Sequence, residues 1–319
     1  MTTFTRVFAS VAIAAAMTFT SFTASSATLD SLNAVGKAVK VEVPDNPKRI
    51  AVIDVAVLDM LDYWQLTDRI VAMPKTTRVP FLAEHFDNPK IANIGTLKEV
   101  DLEALMAAEP DVIFISGRLA KKYDQLSRIA PTVYMTTDRN LGSLESFKKN
   151  LANVAQLFGK EESAKATAEF FEKRAEDIRQ KAGGQTALVG LVTSAHVNLL
   201  GDKARASLIG REFGFKNMAS VANANHGNES SFKLLVKTNP AFFFVLDRDS
   251  AIARPGAKLA KDILNNEMVD RMDAKKSNRI VYLTPSAWYL AEGGVKSMDI
   301  MMRDVERVLN IEVPQMQRR

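Results

Sequence analysis

The segment DLEALMAAEPDVIFISGR at residues 101–118 decides the fold, because SFKLLVKTNPAFFFVLDR at residues 231–248 repeats its pattern. Each copy has a helical pattern, a proline that ends the helix, a buried apolar strand and an arginine just past the strand. Aligned without a gap, the copies pair Leu105 with Leu235, Pro110 with Pro240, Phe114 with Phe244 and Arg118 with Arg248. The repeat predicts two lobes, each of which contains one copy of the same helix–strand unit.

Around both copies, short apolar runs alternate with helical patterns, which is typical of parallel sheets built from strand–helix–strand units. Strands are predicted at residues 49–55, 70–73, 111–116, 132–135, 187–193, 241–246 and 279–283. Helices are predicted at residues 58–66, 101–108, 143–158, 161–182, 206–213, 232–237 and 295–309. The predicted fold class is therefore α/β, with two Rossmann-like lobes that each contain a mostly parallel sheet.

A long helix predicted at residues 161–182 divides the two lobes and ends at the pair Gly183-Gly184. At 1.5 Å per residue it would measure about 33 Å, roughly the diameter of a small domain. We expect a first lobe at residues 45–160, an interlobe helix at 161–183 and a second lobe at 184–316. Ligands of open α/β sheets bind at the carboxyl ends of the strands, so Arg118 and Arg248 should face one another across a cleft.

The N-terminus is typical of an export signal. Arg6 precedes a short apolar run at residues 7–19, and small residues up to Ala27 offer a cleavage site. We therefore expect a signal peptide at residues 1–27 and a periplasmic location. The chain has no cysteine, which excludes disulfides, thiolate metal sites and a lipid anchor on cysteine.

Composition and motifs favour a binding protein over an enzyme. The formal net charge of +5 is modest, so an anionic small ligand is a better expectation than nucleic acid. The sequence contains no catalytic triad order, phosphate-binding glycine loop or HExxH zinc motif. A zinc or manganese capture site would need clustered histidines, whereas His85, His196 and His226 are scattered.

The order of motifs resembles the helical-backbone metal-receptor family, the class III periplasmic binding proteins of siderophore, haem and cobalamin importers. The resemblance rests on the export signal, PKRIAVID at residues 47–54, both repeat copies, the long helix and WYLAEG at residues 288–293. It is closest to the catecholate branch, which includes enterobactin- and vibriobactin-binding proteins. Haem, cobalamin, and hydroxamate or citrate siderophores remain alternative ligands within the same fold.

The resemblance implies that Arg118, Arg205 and Arg248 line the ligand cleft, and Trp288 is expected to take part in ligand binding as the neighbour of Tyr289. Arginine suits this role because its guanidinium group stays charged and donates several hydrogen bonds in one plane. A ferric ion held by three doubly ionised catecholates carries a net charge of −3, which matches an arginine-lined cleft. No permanent cofactor is expected, since the ferric siderophore is the transported ligand.

Similar proteins use a histidine and a tyrosine to complete the iron coordination when a siderophore supplies only two catecholates. His226 lies in the polar segment NANHGN and Tyr289 follows Trp288, so the resemblance assigns this role to them. Iron(III) prefers anionic oxygen and accepts imidazole, which fits both side chains.

The family also docks on an inner-membrane ABC permease through a glutamate on each lobe. Glu103 occupies this position in the first repeat copy, but its partner in the second copy is Lys233. Glu229, about one helical turn earlier, is the candidate that replaces it. We expect the protein to act as a monomer with this permease as its partner.

Overall fold

The first lobe is built on a five-stranded parallel sheet. The structure is a computed structural model that describes residues 25–194, 196–219, 228–230 and 232–316. Its first strands are β1 (Ser26–Leu32), β2 (Ala38–Pro44), β3 (Ile50–Val52), β4 (Ile70–Met73), β5 (Ala92–Asn93), β6 (Val112–Ile115) and β7 (Thr132–Tyr134). Its first helices are α1 (Val55–Tyr63), α2 (Ala83–Asp87), α3 (Leu102–Ala107), α4 (Tyr123–Leu126) and α5 (Ser143–Ala155). The sheet order β5-β4-β3-β6-β7 confirms the predicted parallel sheet.

The helix α6 (Glu161–Ala182) joins the lobes and has the predicted bounds. It ends at Gly183, which has the left-handed φ of 56° that favours glycine. Arg174, whose side chain is 2% exposed, donates to both carboxylate oxygens of Glu306 at 2.8 and 2.7 Å and to Asp299 at 2.7 Å. This buried network fixes α6 to the last helix of the chain, Val295–Leu309.

The second lobe carries a mixed sheet. Its strands are β8 (Thr186–Thr193), β9 (His196–Leu199), β10 (Lys216–Asn217), β11 (Asn228–Ser230), β12 (Phe242–Asp247) and β13 (Ile280–Tyr282). Its helices are α7 (Leu208–Arg211), α8 (Phe232–Thr238), α9 (Arg248–Ala251), α10 (Ala260–Ile263), α11 (Glu267–Asp270), α12 (Asp273–Lys276) and α13 (Val295–Leu309). Strands β8, β12 and β13 are parallel, while β9 and β11 add antiparallel pairs.

The internal repeat extends to the backbone. Helix α3 leads into β6 as α8 leads into β12, and both strands are fully buried. Glu109 and Asn239, which stand just before the aligned prolines, both have positive φ values, of 45° and 40°. The two copies therefore make the same turn between helix and strand, as the sequence pattern predicts.

The hairpin β1–β2 was not predicted, and it packs on the first lobe. The amide of Asp30 donates to the side-chain oxygen of Asn153 on α5 at 2.9 Å. The predicted lobe boundary at residue 45 leaves this hairpin out, and cleavage after Ala27 would remove the first two residues of β1. The rest of the predicted signal peptide, residues 1–24, lies outside the described residues. Within the described part of the chain, no helix combines the length and apolar character needed to cross a membrane.

Asp59 of α1 caps α13 from another part of the chain. Its carboxylate is fully buried and accepts hydrogen bonds from the amides of Lys296 and Ser297 at 2.9 and 2.7 Å. A Cβ atom at Gly294 would lie 2.3 Å from Asp59, so only glycine allows this approach. Burial raises the pKa of Asp59 to about 6, although both amide hydrogen bonds oppose the shift.

We expect Asp59 to make the folded protein less stable as the pH rises from about 4 to 6. The folded state holds the Asp59 proton in this range and the unfolded state has released it, so the free energy of unfolding falls as pH rises, by at most about 3 kcal/mol. Urea unfolding of wild type and Asp59→Asn at several pH values measures the difference. Parallel pH profiles for the two proteins would contradict this assignment.

Candidate ligand-binding cleft

A cavity of about 490 Å³ lies where the carboxyl ends of the two sheets meet. First-lobe residues after β3, β5, β6 and β7 line one side, and second-lobe residues line the other. The charged residues of the lining are Asp54, Lys98, Arg118, Arg139, Arg205, Arg248 and Glu292. Five are cations and two are carboxylates, which leaves an excess of three positive charges. An anionic ligand fits this lining best.

Arg118 and Arg248 both line the cavity, one from each lobe. Arg118 follows β6 in a 3-10 turn, where a Cβ atom at Gly117 would lie 3.3 Å from the hydroxyl of Tyr134. Arg248 is the first residue of α9, whose amino end is capped by Asp247 through the amide of Ser250 at 2.9 Å. Each arginine therefore lies just past the end of a buried strand, at the cavity wall.

The three predicted arginines converge on Tyr289, which lies in the π-helical turn Ser286–Leu290. Arg118 and Arg205 donate to the carbonyl oxygen of Tyr289 at 3.0 and 3.1 Å. Nε of Arg248 donates to the phenol oxygen at 2.9 Å, and the guanidinium carbon of Arg205 lies 4.4 Å from the ring centroid. Single-turn π-helices often mark functional positions. The predicted binding residues Arg118, Arg205, Arg248 and Tyr289 thus form one cluster.

Arg205 is more enclosed than Arg248: its side chain is 14% exposed, against 22% for Arg248. Burial lowers the pKa of Arg205, as do the charges of Arg139 and Arg118, while Glu292 acts in the opposite direction. Among the described residues, Nε of Arg205 and the hydroxyl of Ser116 in the same lining are buried without a hydrogen-bond partner. Such atoms are rare in proteins, and a bound ligand with oxygen acceptors is one way to satisfy them.

Sequence reasoning missed four charged residues of the lining, and one of them, Asp54, ends the quoted PKRIAVID motif without an assigned role. Arg139 follows β7 as Arg118 follows β6, so the signal of an arginine just past a strand was present. Glu292 lies in the WYLAEG motif, but no role was assigned to this residue. Lys98 is exposed between β5 and α3, and nothing in its sequence neighbourhood distinguishes it from other surface lysines.

The structure corrects the expectation for Trp288, which was assigned to ligand binding. Its side chain is fully buried, and the indole N–H donates to Asp304 at 2.9 Å. The side chain does not line the cavity, because the π-helical turn directs Tyr289 to the cleft and the indole into the core. Only the carbonyl oxygen of Trp288 approaches the cluster, 3.4 Å from Arg205.

The other predicted residues either lie outside the described part of the structure or lie away from the cluster. His226 lies outside the described residues, and Glu229 lies in β11, where only the backbone is described. Glu103 is exposed in the first turn of α3 and does not line the cavity. Nε2 of His85 lies 2.7 Å from a carboxylate oxygen of Asp62 and 3.8 Å from one of Glu84. These three residues do not line the cavity either. The 2.7 Å separation is that of a hydrogen bond, so we interpret His85 as a hydrogen-bond partner of Asp62.

Comparisons with known proteins agree with this geometry. The petrobactin-binding protein YclQ of Bacillus subtilis (strain 168) is 32% identical over 268 residues, which cover 83% of either chain. The crystal structure of YclQ matches with a TM-score of 0.82 at 31% identity, covering 90% of this chain and 100% of that one. The catecholate-siderophore binding protein VctP from Vibrio cholerae matches with a TM-score of 0.80 at 28% identity, covering 88% and 100%. Residues 50–287 match the periplasmic binding protein family model, and the chain therefore belongs to that family of two-lobed substrate-binding proteins.

Proposed function

We propose that this protein captures a ferric catecholate siderophore in the cleft and delivers it to an ABC importer in the inner membrane. The observation that carries the proposal is the convergence of Arg118, Arg205 and Arg248 around Tyr289. Similarity to YclQ, which binds petrobactin, and to VctP, a catecholate-siderophore binding protein, supports the same ligand class. Iron arrives as part of the cargo, and the protein acts as a carrier rather than an enzyme.

The charge of the cleft supports an anionic ferric complex. Three excess positive charges face a ferric tris-catecholate of charge −3, and guanidinium groups donate to adjacent catecholate oxygens in one plane. A neutral ferric hydroxamate would cover these cations without supplying a negative charge, which is costly. The cleft chemistry therefore favours catecholates over neutral ligands.

Tyr289 is proposed as an iron ligand for siderophores that leave two coordination positions open, with His226 as the second protein donor. The phenol oxygen accepts a hydrogen bond from Arg248, so a guanidinium group lies beside the oxygen that would bind iron. A hexadentate siderophore fills the iron sphere itself, and Tyr289 would then contact the ligand through hydrogen bonds only.

Uptake of radiolabelled iron by intact cells tests the carrier role. Cells that lack the protein should lose uptake of iron from a ferric catecholate and regain it when the full chain is supplied. Unchanged uptake in the deletion strain, with no second binding protein expressed, would contradict the proposed delivery.

Docking on the permease is proposed to use Glu103 on the first lobe and Glu229 on the second. Helix α3 runs back from the carboxyl-end edge of the sheet, because it precedes the parallel strand β6, so Glu103 in its first turn lies toward the cleft side. Its repeat partner in the first turns of α8 is Lys233, which is exposed. The two lobes therefore present different charges at matching positions.

We expect Glu103→Lys to reduce uptake at least tenfold while siderophore affinity stays unchanged, because a rim charge meets the permease and not the ligand. The matched control is Glu161→Lys, another exposed first-turn glutamate, on α6. Lys233→Glu tests the second lobe: unchanged or higher uptake fits a permease cation there, as docking through Glu229 requires. Uptake by Glu103→Lys equal to that of the control would refute the docking role.

A further inference from the structure

Glu292 is a buried carboxylate that the proposed ligand chemistry does not use. Its side chain is 6% exposed. Both of its oxygens accept from the guanidinium group of Arg139, at 2.7 and 2.8 Å, and one also accepts from the hydroxyl of Ser143 at 2.9 Å. Nη1 of Arg205 lies 3.6 Å from its other oxygen. Two cations of the cleft lining thus share one anion.

The pair of Arg139 and Glu292 joins the two lobes at the cavity wall. Arg139 follows β7 of the first lobe, whereas Glu292 follows β13 and the π-helical turn of the second. The same junction holds further links. Arg211 of α7 donates to the carbonyl oxygens of Arg139 and Asn140. The segment that carries Arg139 is therefore held by the second lobe through backbone as well as side chain.

This arrangement divides the cleft cations into two groups. The guanidinium group of Arg139 donates two parallel hydrogen bonds to Glu292, the geometry in which arginine binds a carboxylate most strongly. Arg205 only approaches Glu292, and its strong contacts are the carbonyl oxygen and ring of Tyr289. Arg139 neutralises Glu292 and thereby leaves Arg205 available to an incoming anion.

We propose that Arg139 and Glu292 form an interlobe positioning pair, in which Arg139 saturates Glu292 so that Arg205 stays turned toward Tyr289 and the ligand. The inference rests on the proposed function, because it assigns Arg205 to an anionic siderophore. It makes Arg139 a residue that acts through Glu292, although it lies in the cavity wall beside the direct ligand contacts.

A double-mutant cycle on affinity for the ferric complex of a hexadentate tris-catecholate tests the pair. In Arg139→Gln, the buried Glu292 keeps Arg205 as its nearest cation and competes with the ligand for it, so affinity should fall at least tenfold. Adding Glu292→Gln removes this competitor. The double variant should recover to within about threefold of wild type, since a neutral pair of similar size replaces the ion pair.

Direct ligand binding by Arg139 gives the opposite result, because the double variant would then remain as weak as Arg139→Gln. That outcome, or wild-type affinity in Arg139→Gln, overturns the proposal. If Arg139→Gln fails to fold in thermal unfolding, Arg139→Lys replaces it in the cycle; the lysine keeps the charge but not the two parallel bonds, so an intermediate loss that Glu292→Gln relieves is expected. A wild type that does not bind the tris-catecholate refutes the ligand class alone, and the cycle is then decided with ferric citrate.

Discussion

Arg118→Ala, Arg205→Ala and Arg248→Ala will each weaken binding of a ferric tris-catecholate by about tenfold to a hundredfold. Each guanidinium group lines the cavity, and a hydrogen bond to a charged group contributes about 1.5–3 kcal/mol. Arg205→Ala should have a larger effect than Arg248→Ala, since the side chain of Arg205 is 14% exposed and that of Arg248 is 22% exposed. Fluorescence or equilibrium dialysis titrations at constant ionic strength measure the three dissociation constants.

Arg78→Ala is the matched control for these variants. Arg78 is exposed, pairs with Asp87 and does not line the cavity, so its removal should leave affinity unchanged. The losses should also shrink as salt is added, because exposed parts of the cleft are screened. If all three variants bind like Arg78→Ala, the ligand does not occupy this cleft.

Tyr289→Phe will separate two classes of siderophore. The variant keeps the ring beside Arg205 but removes the oxygen that accepts from Arg248, so packing is preserved. A tetradentate bis-catecholate loses an iron ligand, and its affinity should fall on the order of a hundredfold or more, at least as much as when a residue supporting a metal ligand is lost. A hexadentate complex should lose tenfold or less, the effect of one hydrogen bond.

The visible spectrum gives an independent reading of the same variant. Coordination of iron(III) by the phenolate of Tyr289 should release a proton and shift the charge-transfer band of the bis-catecholate complex, and Tyr289→Phe should abolish that shift. Tyr282→Phe, at a half-exposed tyrosine outside the cavity, is the control. Equal small losses for both siderophore classes would show that Tyr289 does not ligate iron.

The sequence predicted the parts of the fold whose patterns are long and local. The bounds of α6 and α13 were predicted correctly, because amphipathic helices with glycine at an end are specified by their own residues. The hairpin β1–β2 and the antiparallel strands β9 and β11 were missed. Strand β2 is mostly exposed or half-buried, and its pairing with β1 depends on contacts with β7 and α5 that no short sequence window contains.

The site was predictable where the repeat or the resemblance fixed a backbone position. Arg118 and Arg248 follow strands, so the topology itself takes them to the cleft. Trp288 was misplaced because neighbours on a π-helical turn point in different directions, and the choice between core and cleft depends on Asp304. Glu292 was missed because its partner Arg139 lies 153 residues away, and only the folded chain brings them together.

Titration of the wild-type protein with a panel of ligands tests the central claim most directly. The panel contains a ferric tris-catecholate, a ferric bis-catecholate, a ferric hydroxamate, ferric citrate, haem and cobalamin. Binding of each ligand is measured by quenching of the fluorescence of Trp288, the chain neighbour of Tyr289. The account predicts that a ferric catecholate binds most tightly and that its affinity falls as ionic strength rises. Tighter binding of haem, cobalamin or a neutral hydroxamate, or a catecholate affinity that does not change with salt, would contradict it.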